Sequence, residues 1–102
     1  WYSLISGIPS GKHQLEIFRR TDWDSGKTYF YSFEGEKGSH FTEASPDSDR
    51  SIEFYGNSIT AGYAIEDTIG DSPDSTFTNN YLAYGALTAR HFNANYYCDL
   101  YS

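Results

Sequence analysis

The stretch Ser51-Ile52-Glu53-Phe54-Tyr55-Gly56-Asn57-Ser58-Ile59-Thr60 decides how the rest of the chain is read. Ile52 to Tyr55 is a short apolar run bounded by turn residues, the pattern of a buried strand. Gly56 allows a sharp turn at its end, and residues 58–63 fit one helical turn. A serine hydroxyl then stands just past the carboxyl end of a strand, where open α/β sheets bind ligands. The first N–H groups of such a turn, that of Ser58 included, favour negative charge beside the hydroxyl. Acyl transfer develops that charge on a carbonyl oxygen, and losing one donor to it costs about 3 kcal/mol. Ser58 is therefore the candidate nucleophile. The competing reading is that Ser58 only caps the turn that follows it.

Downstream, Asn79 to Phe92 predicts a helix. Asn79 or Thr78 is its cap, and Leu82, Ala83, Ala86, Leu87 and Ala89 form its apolar side. Arg90 and His91 fall in the last turn, where the helix dipole favours cations. Tyr96 to Tyr101 reads as a second strand, so this half is a strand-helix-strand unit, the opening of a parallel α/β sheet. Residues 64–78 form a long loop, a length that is often functional. Its Glu66, Asp67, Asp71 and Asp74 lack the order of a calcium loop. No phosphate loop or zinc spacing occurs, and no cofactor is expected.

Upstream the grammar is that of β structure. Trp1–Ile5, Lys12–Thr21, Thr28–Glu34 and Ser39–Thr42 read as strands separated by Gly-, Pro- and Asp-rich turns. Trp23, in one of those turns, is a candidate sugar-stacking residue. Residues 44–50 have linker composition. The expected organisation is the C-terminal part of a β-sandwich over 1–43, a linker over 44–50, and the first part of an α/β domain over 51–102. Neither half has enough elements to cover both faces of a sheet. The chain also lacks methionine. The expectation is thus of a processed product or an internal piece of a longer protein.

The 102 residues are 38% hydrophobic and 21% charged, which excludes a disordered composition. No run approaches ~18 apolar residues, so no membrane-spanning helix is predicted. The net charge of −7 argues against non-specific binding of nucleic acid or anionic membrane and is compatible with a neutral glycan. Residues 51–102 carry one Lys/Arg, Arg90, against six Asp/Glu, so the acidity is concentrated in that half. Cys98 is the only cysteine, which rules out an intrachain disulfide and predicts a small core residue.

The block Glu53-Phe54-Tyr55-Gly56-Asn57-Ser58-Ile59-Thr60-Ala61-Gly62-Tyr63 resembles the first conserved block of the SGNH (GDSL-like) hydrolases, an apolar strand followed by Gly-Asp-Ser-Ile-Thr. Gly7-Ile8-Pro9-Ser10-Gly11-Lys12-His13, Arg19-Arg20-Thr21-Asp22 and Asn80-Tyr81-Leu82-Ala83-Tyr84-Gly85-Ala86 are similar to the second carbohydrate esterase family, in which a jelly-roll domain precedes the SGNH domain. The resemblance implies a jelly-roll sandwich followed by a flavodoxin-like three-layer α/β domain. It implies Ser58 as nucleophile and backbone oxyanion donor, with Gly56, Asn57 and Thr60 as the supporting turn. The implied reaction removes O-acetyl groups from plant polysaccharides of the xylan and glucomannan type through an acyl-enzyme. The implied partner is an acetylated polysaccharide or oligosaccharide, with no nucleic acid and no membrane, and the implied compartment is secreted or periplasmic.

Asn57 departs from the family's Asp. The family's base is a late His, often in Asp-x-x-His, and none of His13, His40 or His91 has an Asp three residues before it. The chain alone is therefore expected to be inactive. The rival readings are a non-catalytic glycan-binding β-sandwich with a degenerate hydrolase segment, and an SGNH esterase or lipase acting on other small esters.

Overall fold

A computed structural model of the chain describes residues 1–21, 26–70 and 75–101. Among the described residues regular structure is confined to the second half. Strand β1, Ser51–Gly56, leads into the short helix α1, Ser58–Ala61. Two 3-10 turns follow, Ser75–Phe77 and Asn80–Leu82, then helix α2, Tyr84–His91, and strand β2, Asn95–Leu100.

The two strands pair in parallel, from Ser51 opposite Asn95 to Gly56 opposite Leu100. The ladder continues one step at each end, with Asn95 N–H donating to Arg50 O at 2.8 Å and Tyr101 N–H to Gly56 O at 2.7 Å. Parallel strands need a crossover, and the 3-10 turns with α2 supply it. Phe54 is the apolar centre of β1. It meets Tyr84 edge-on at 5.8 Å and Tyr96 at 5.8 Å. Helix α2 packs through small residues: Ala83, Ala86 and Ala89 are all at or below 1% exposed. Gly85 lies against the Phe54 ring, where a Cβ would stand 3.0 Å from Cγ.

The helix expected over Asn79 to Phe92 is therefore two pieces. Asn79 caps as expected, its side chain accepting from Tyr81 N–H at 3.1 Å, but it caps a 3-10 turn. At Ala83 the backbone extends to ψ 154°, and α2 starts afresh at Tyr84. Leu82 and Leu87, placed on the apolar side by their spacing, are 40% and 49% exposed. The break after the first turn rotates Leu82 out of register with α2, and alanines take the face against the sheet. Cys98 is half-buried opposite Phe54 in β2.

The strands expected within 1–43 are absent among the described residues. A strand is stable only with a paired strand beside it and a covered face, and among the described residues this stretch pairs with no other strand. Its turn at Gly35–Gly38 does form, closed by Ser39 N–H to Glu36 O at 2.9 Å, and Phe30, Phe33 and Phe41 cluster around it. Trp23 lies outside the described residues. Residues 44–50, read as a linker, are anchored at one end. Ser48 accepts from and donates to Asn95, with Asn95 Nδ2 to Ser48 O at 2.9 Å and Ser48 N–H to Asn95 Oδ1 at 3.2 Å.

Candidate active site

Gly56 to Tyr63 forms a closed turn at the carboxyl end of β1. Asn57 is extended (φ −115°, ψ −155°) and is the N-cap of α1, its Oδ1 accepting from Ile59 N–H at 3.2 Å. The cap is thus Asn57, which leaves Ser58 free of that task. Ser58 is the first helical residue and is exposed. Among the described residues its hydroxyl has no hydrogen-bond partner in the chain. Its own N–H belongs to the first turn, where helical N–H groups lack an intrahelical acceptor.

The turn is fixed from behind. Thr60, 4% exposed, pairs its hydroxyl with that of Tyr84 at 3.0 Å. A Cβ at Gly56 would collide with the Thr60 side chain, lying 2.7 Å from its Cβ, so only glycine lets the strand end fold so closely over the helix. Gly62 ends α1 in the left-handed conformation (φ 78°, ψ 31°). Its N–H donates to Ile59 O at 3.1 Å, while Tyr63 N–H donates to Ser58 O at 2.9 Å. Gly62 also seats the turn on the next segment: it accepts from Asn79 N–H at 3.0 Å, and Asn80 Nδ2 donates to Thr60 O at 3.2 Å.

Gly56, Asn57, Ser58 and Thr60 thus lie in one turn at the end of β1. Asn79, Asn80 and Tyr84 complete the support. Their part was not legible in sequence, although Asn80 to Ala86 carries the family resemblance. No described histidine is joined to Ser58. His13 Nε2 donates to Pro9 O at 2.7 Å, and His91 stands edge-on to Phe92 at 4.9 Å. The geometry supplies a presented hydroxyl and a backbone donor, and leaves the general base to be supplied.

The acidic loop has structural work. Glu66 pairs with Arg20. Asp67 Oδ1 accepts from Ile69 N–H at 2.9 Å and Gly70 N–H at 3.3 Å. Asp71 and Asp74 lie outside the described residues. No cluster of metal-ligating side chains is found among the described residues. Beneath the sheet, the Tyr96 hydroxyl is buried without a hydrogen-bond partner among the described residues, and burial pushes its pKa up to about 12. Tyr55, beside Glu53, is also raised, first by their hydrogen bond.

Two curated relatives match the chain over 90% of its length. One is a cellulase/esterase, CelE, of Acetivibrio thermocellus, 38% identical over 96 residues. The other is an acetylxylan esterase / glucomannan deacetylase of Cellvibrio japonicus, 30% identical over 95 residues. Both are esterases by name. The chain spans 11% of the first and 26% of the second, so it corresponds to a small part of each. No family model and no solved structure matches.

Proposed function

We propose that this chain carries the nucleophile of a serine esterase of the SGNH type that removes O-acetyl groups from polysaccharides. The observation that carries this reading is the turn itself: Asn57 takes over the cap, and Ser58 is left exposed at the end of a parallel strand. The similarity over 90% of the chain to two proteins named as esterases supports it.

In the proposed reaction Ser58 Oγ attacks the acetyl carbonyl carbon and gives its proton to a histidine supplied by a longer protein. The carbonyl oxygen gains the negative charge, and Ser58 N–H is one donor to it. The tetrahedral intermediate collapses, the sugar oxygen leaves with the proton, and acetyl-Ser58 remains. Water then attacks that ester, releasing acetate and restoring the hydroxyl. No cofactor enters. The C-terminal part of a jelly-roll domain over 1–43 and export from the cytoplasm belong to the same proposal. So does a tuning role for Asn57 in place of Asp, without loss of the nucleophile, because either residue offers the Oδ that caps Ile59 N–H.

The test is acetate release from acetylated xylan by the complete protein. Ser58→Ala is expected to reduce turnover by on the order of 10³-fold or more. Turnover unchanged by that substitution removes Ser58 from the mechanism.

A further inference from the structure

We infer that Arg20 is a positioning residue for the serine turn, a clamp that runs from residues 1–21 through the 76–80 segment to Ser58. This rests on the reading of Ser58 as the nucleophile. Arg20 lies 38 positions from Ser58 in sequence, within the Arg19-Arg20-Thr21-Asp22 stretch that carries part of the family resemblance.

Its contacts carry the inference. Arg20 Nη1 donates to Glu66 Oε2 at 2.5 Å and, at a longer 3.4 Å, to Thr78 O. Nη2 donates to Thr76 O at 3.0 Å, and the Arg20 carbonyl accepts from Asn80 N–H at 2.8 Å. The ion pair alone is weak support, because its side chains are 43% and 37% exposed. The carbonyls matter more. Thr76 and Thr78 sit in and beside the irregular stretch before Asn80, and a planar guanidinium with five N–H donors can serve several acceptors at once.

The opposite side of that stretch holds the nucleophile turn. Asn79 N–H donates to Gly62 O, Asn80 Nδ2 donates to Thr60 O, and the Asn79 carbonyl presses on Gly62 so closely that no Cβ fits. Glu66, the partner of Arg20, is itself tied to the stretch through Glu66 N–H to Phe77 O at 3.1 Å. Arg90 fixes the far end, with Nη2 donating to Tyr81 O at 2.6 Å and its guanidinium 3.8 Å over the Tyr81 ring. Phe18, two residues before Arg20, meets the same ring edge-on at 5.0 Å. Residues 76–81 are therefore held between two arginines, and the Thr60–Gly62 backbone rests on them. A shift of about 1 Å in an attacking atom costs on the order of a hundredfold in rate. A residue that fixes the support fixes the attack.

The test compares Arg20→Met, Arg20→Lys and Ser58→Ala in the complete protein, by two readouts. The first is amide hydrogen exchange. Arg20→Met is expected to speed exchange at Gly62 and Asn79 by about tenfold or more while Phe54 and Cys98 in the strand pair exchange as before. The second is the rate of covalent labelling of Ser58 by a fluorophosphonate. Arg20→Met is expected to slow it between about tenfold and a hundredfold, and Arg20→Lys to recover part of the loss, because one ammonium reaches fewer of the acceptors. Unchanged exchange at Gly62 and Asn79 overturns the clamp. So does an equal rise throughout both strands, which marks general destabilisation, and so does labelling at the natural rate. Labelling of Ser58→Ala as fast as the natural sequence sinks the nucleophile reading separately, and the inference with it.

Discussion

Residues 1–43 and 51–102 hold nine and ten aromatic residues, so aromatic content does not distinguish them. Only the second region forms strands and helices among the described residues. In it Phe54 meets Tyr84 and Tyr96 across a paired ladder. In the first, Tyr2 and Tyr31 are 93% and 89% exposed. A strand-like pattern is a statement about what a segment can pair with. Ser51–Gly56 finds Asn95–Leu100 through a crossover within the chain, and the 28–34 stretch finds no strand partner among the described residues.

That contrast can be broken at its strongest point. Gly62→Val puts a β-branched residue at φ 78° with its Cβ against the Asn79 carbonyl. The expected cost is about 3 kcal/mol or more, read as a lowered urea midpoint and as loss of the 58–63 turn by amide exchange. A variant as stable as the natural sequence means that the turn is not seated on residues 79–80.

Asn57→Ala removes the cap and is expected to cost about 1 kcal/mol. Asn57→Asp keeps the acceptor and adds a charge that the helix N-terminus favours, so its stability should equal or exceed that of the natural sequence. A large loss with Asp would show that the Asn57 amide makes a contact besides the cap.

A smaller effect concerns the sheet's buried phenol. The Tyr96 pKa is raised from 10.0 in the unfolded chain to about 12 in the fold. The neutral form is the one the fold prefers, so its contribution is whole below pH 10.0 and is lost as the pH rises towards about 12. Tyr96→Phe should flatten thermal stability across that window. At neutral pH it should be neutral or slightly stabilising, because it removes a hydroxyl without a partner. An unchanged alkaline transition in the Phe variant would assign that transition to another group.

The smallest effect belongs to the first region. Tyr31→Ser is expected to change stability by less than about 0.5 kcal/mol, whereas a core aromatic truncated in the second region, such as Phe54→Ala, costs several times more. A cost above 1 kcal/mol at Tyr31, on the order of an ordinary core contact, would show that residues 1–43 are packed.

What was legible in sequence was what is set locally. Ile52 to Tyr55, the turn after Gly56, the Asn79 cap and the Tyr96 strand all follow from short patterns with turn residues at their ends. The break at Ala83 was not legible, because it depends on α2 restarting where Tyr84 reaches Thr60 and Gly85 meets Phe54. The exposure of Leu82 follows from the same restart, while within α2 the alanines take the face against the sheet and Leu87 stands off it. Asn80, Tyr84 and Arg20 escaped as site supports because their partners stand 20, 24 and 46 positions away. No periodicity encodes contacts of that span. The turn that exposes Ser58 was legible because its residues, Gly56 to Thr60, are consecutive.

The central claim is that Ser58 is a presented nucleophile. Mass-spectrometric mapping of the residue modified when the complete protein reacts with a fluorophosphonate tests it most directly. A single adduct is expected on the peptide containing Ser58, abolished by Ser58→Ala. An adduct on another serine, or one that persists in Ser58→Ala, would contradict it.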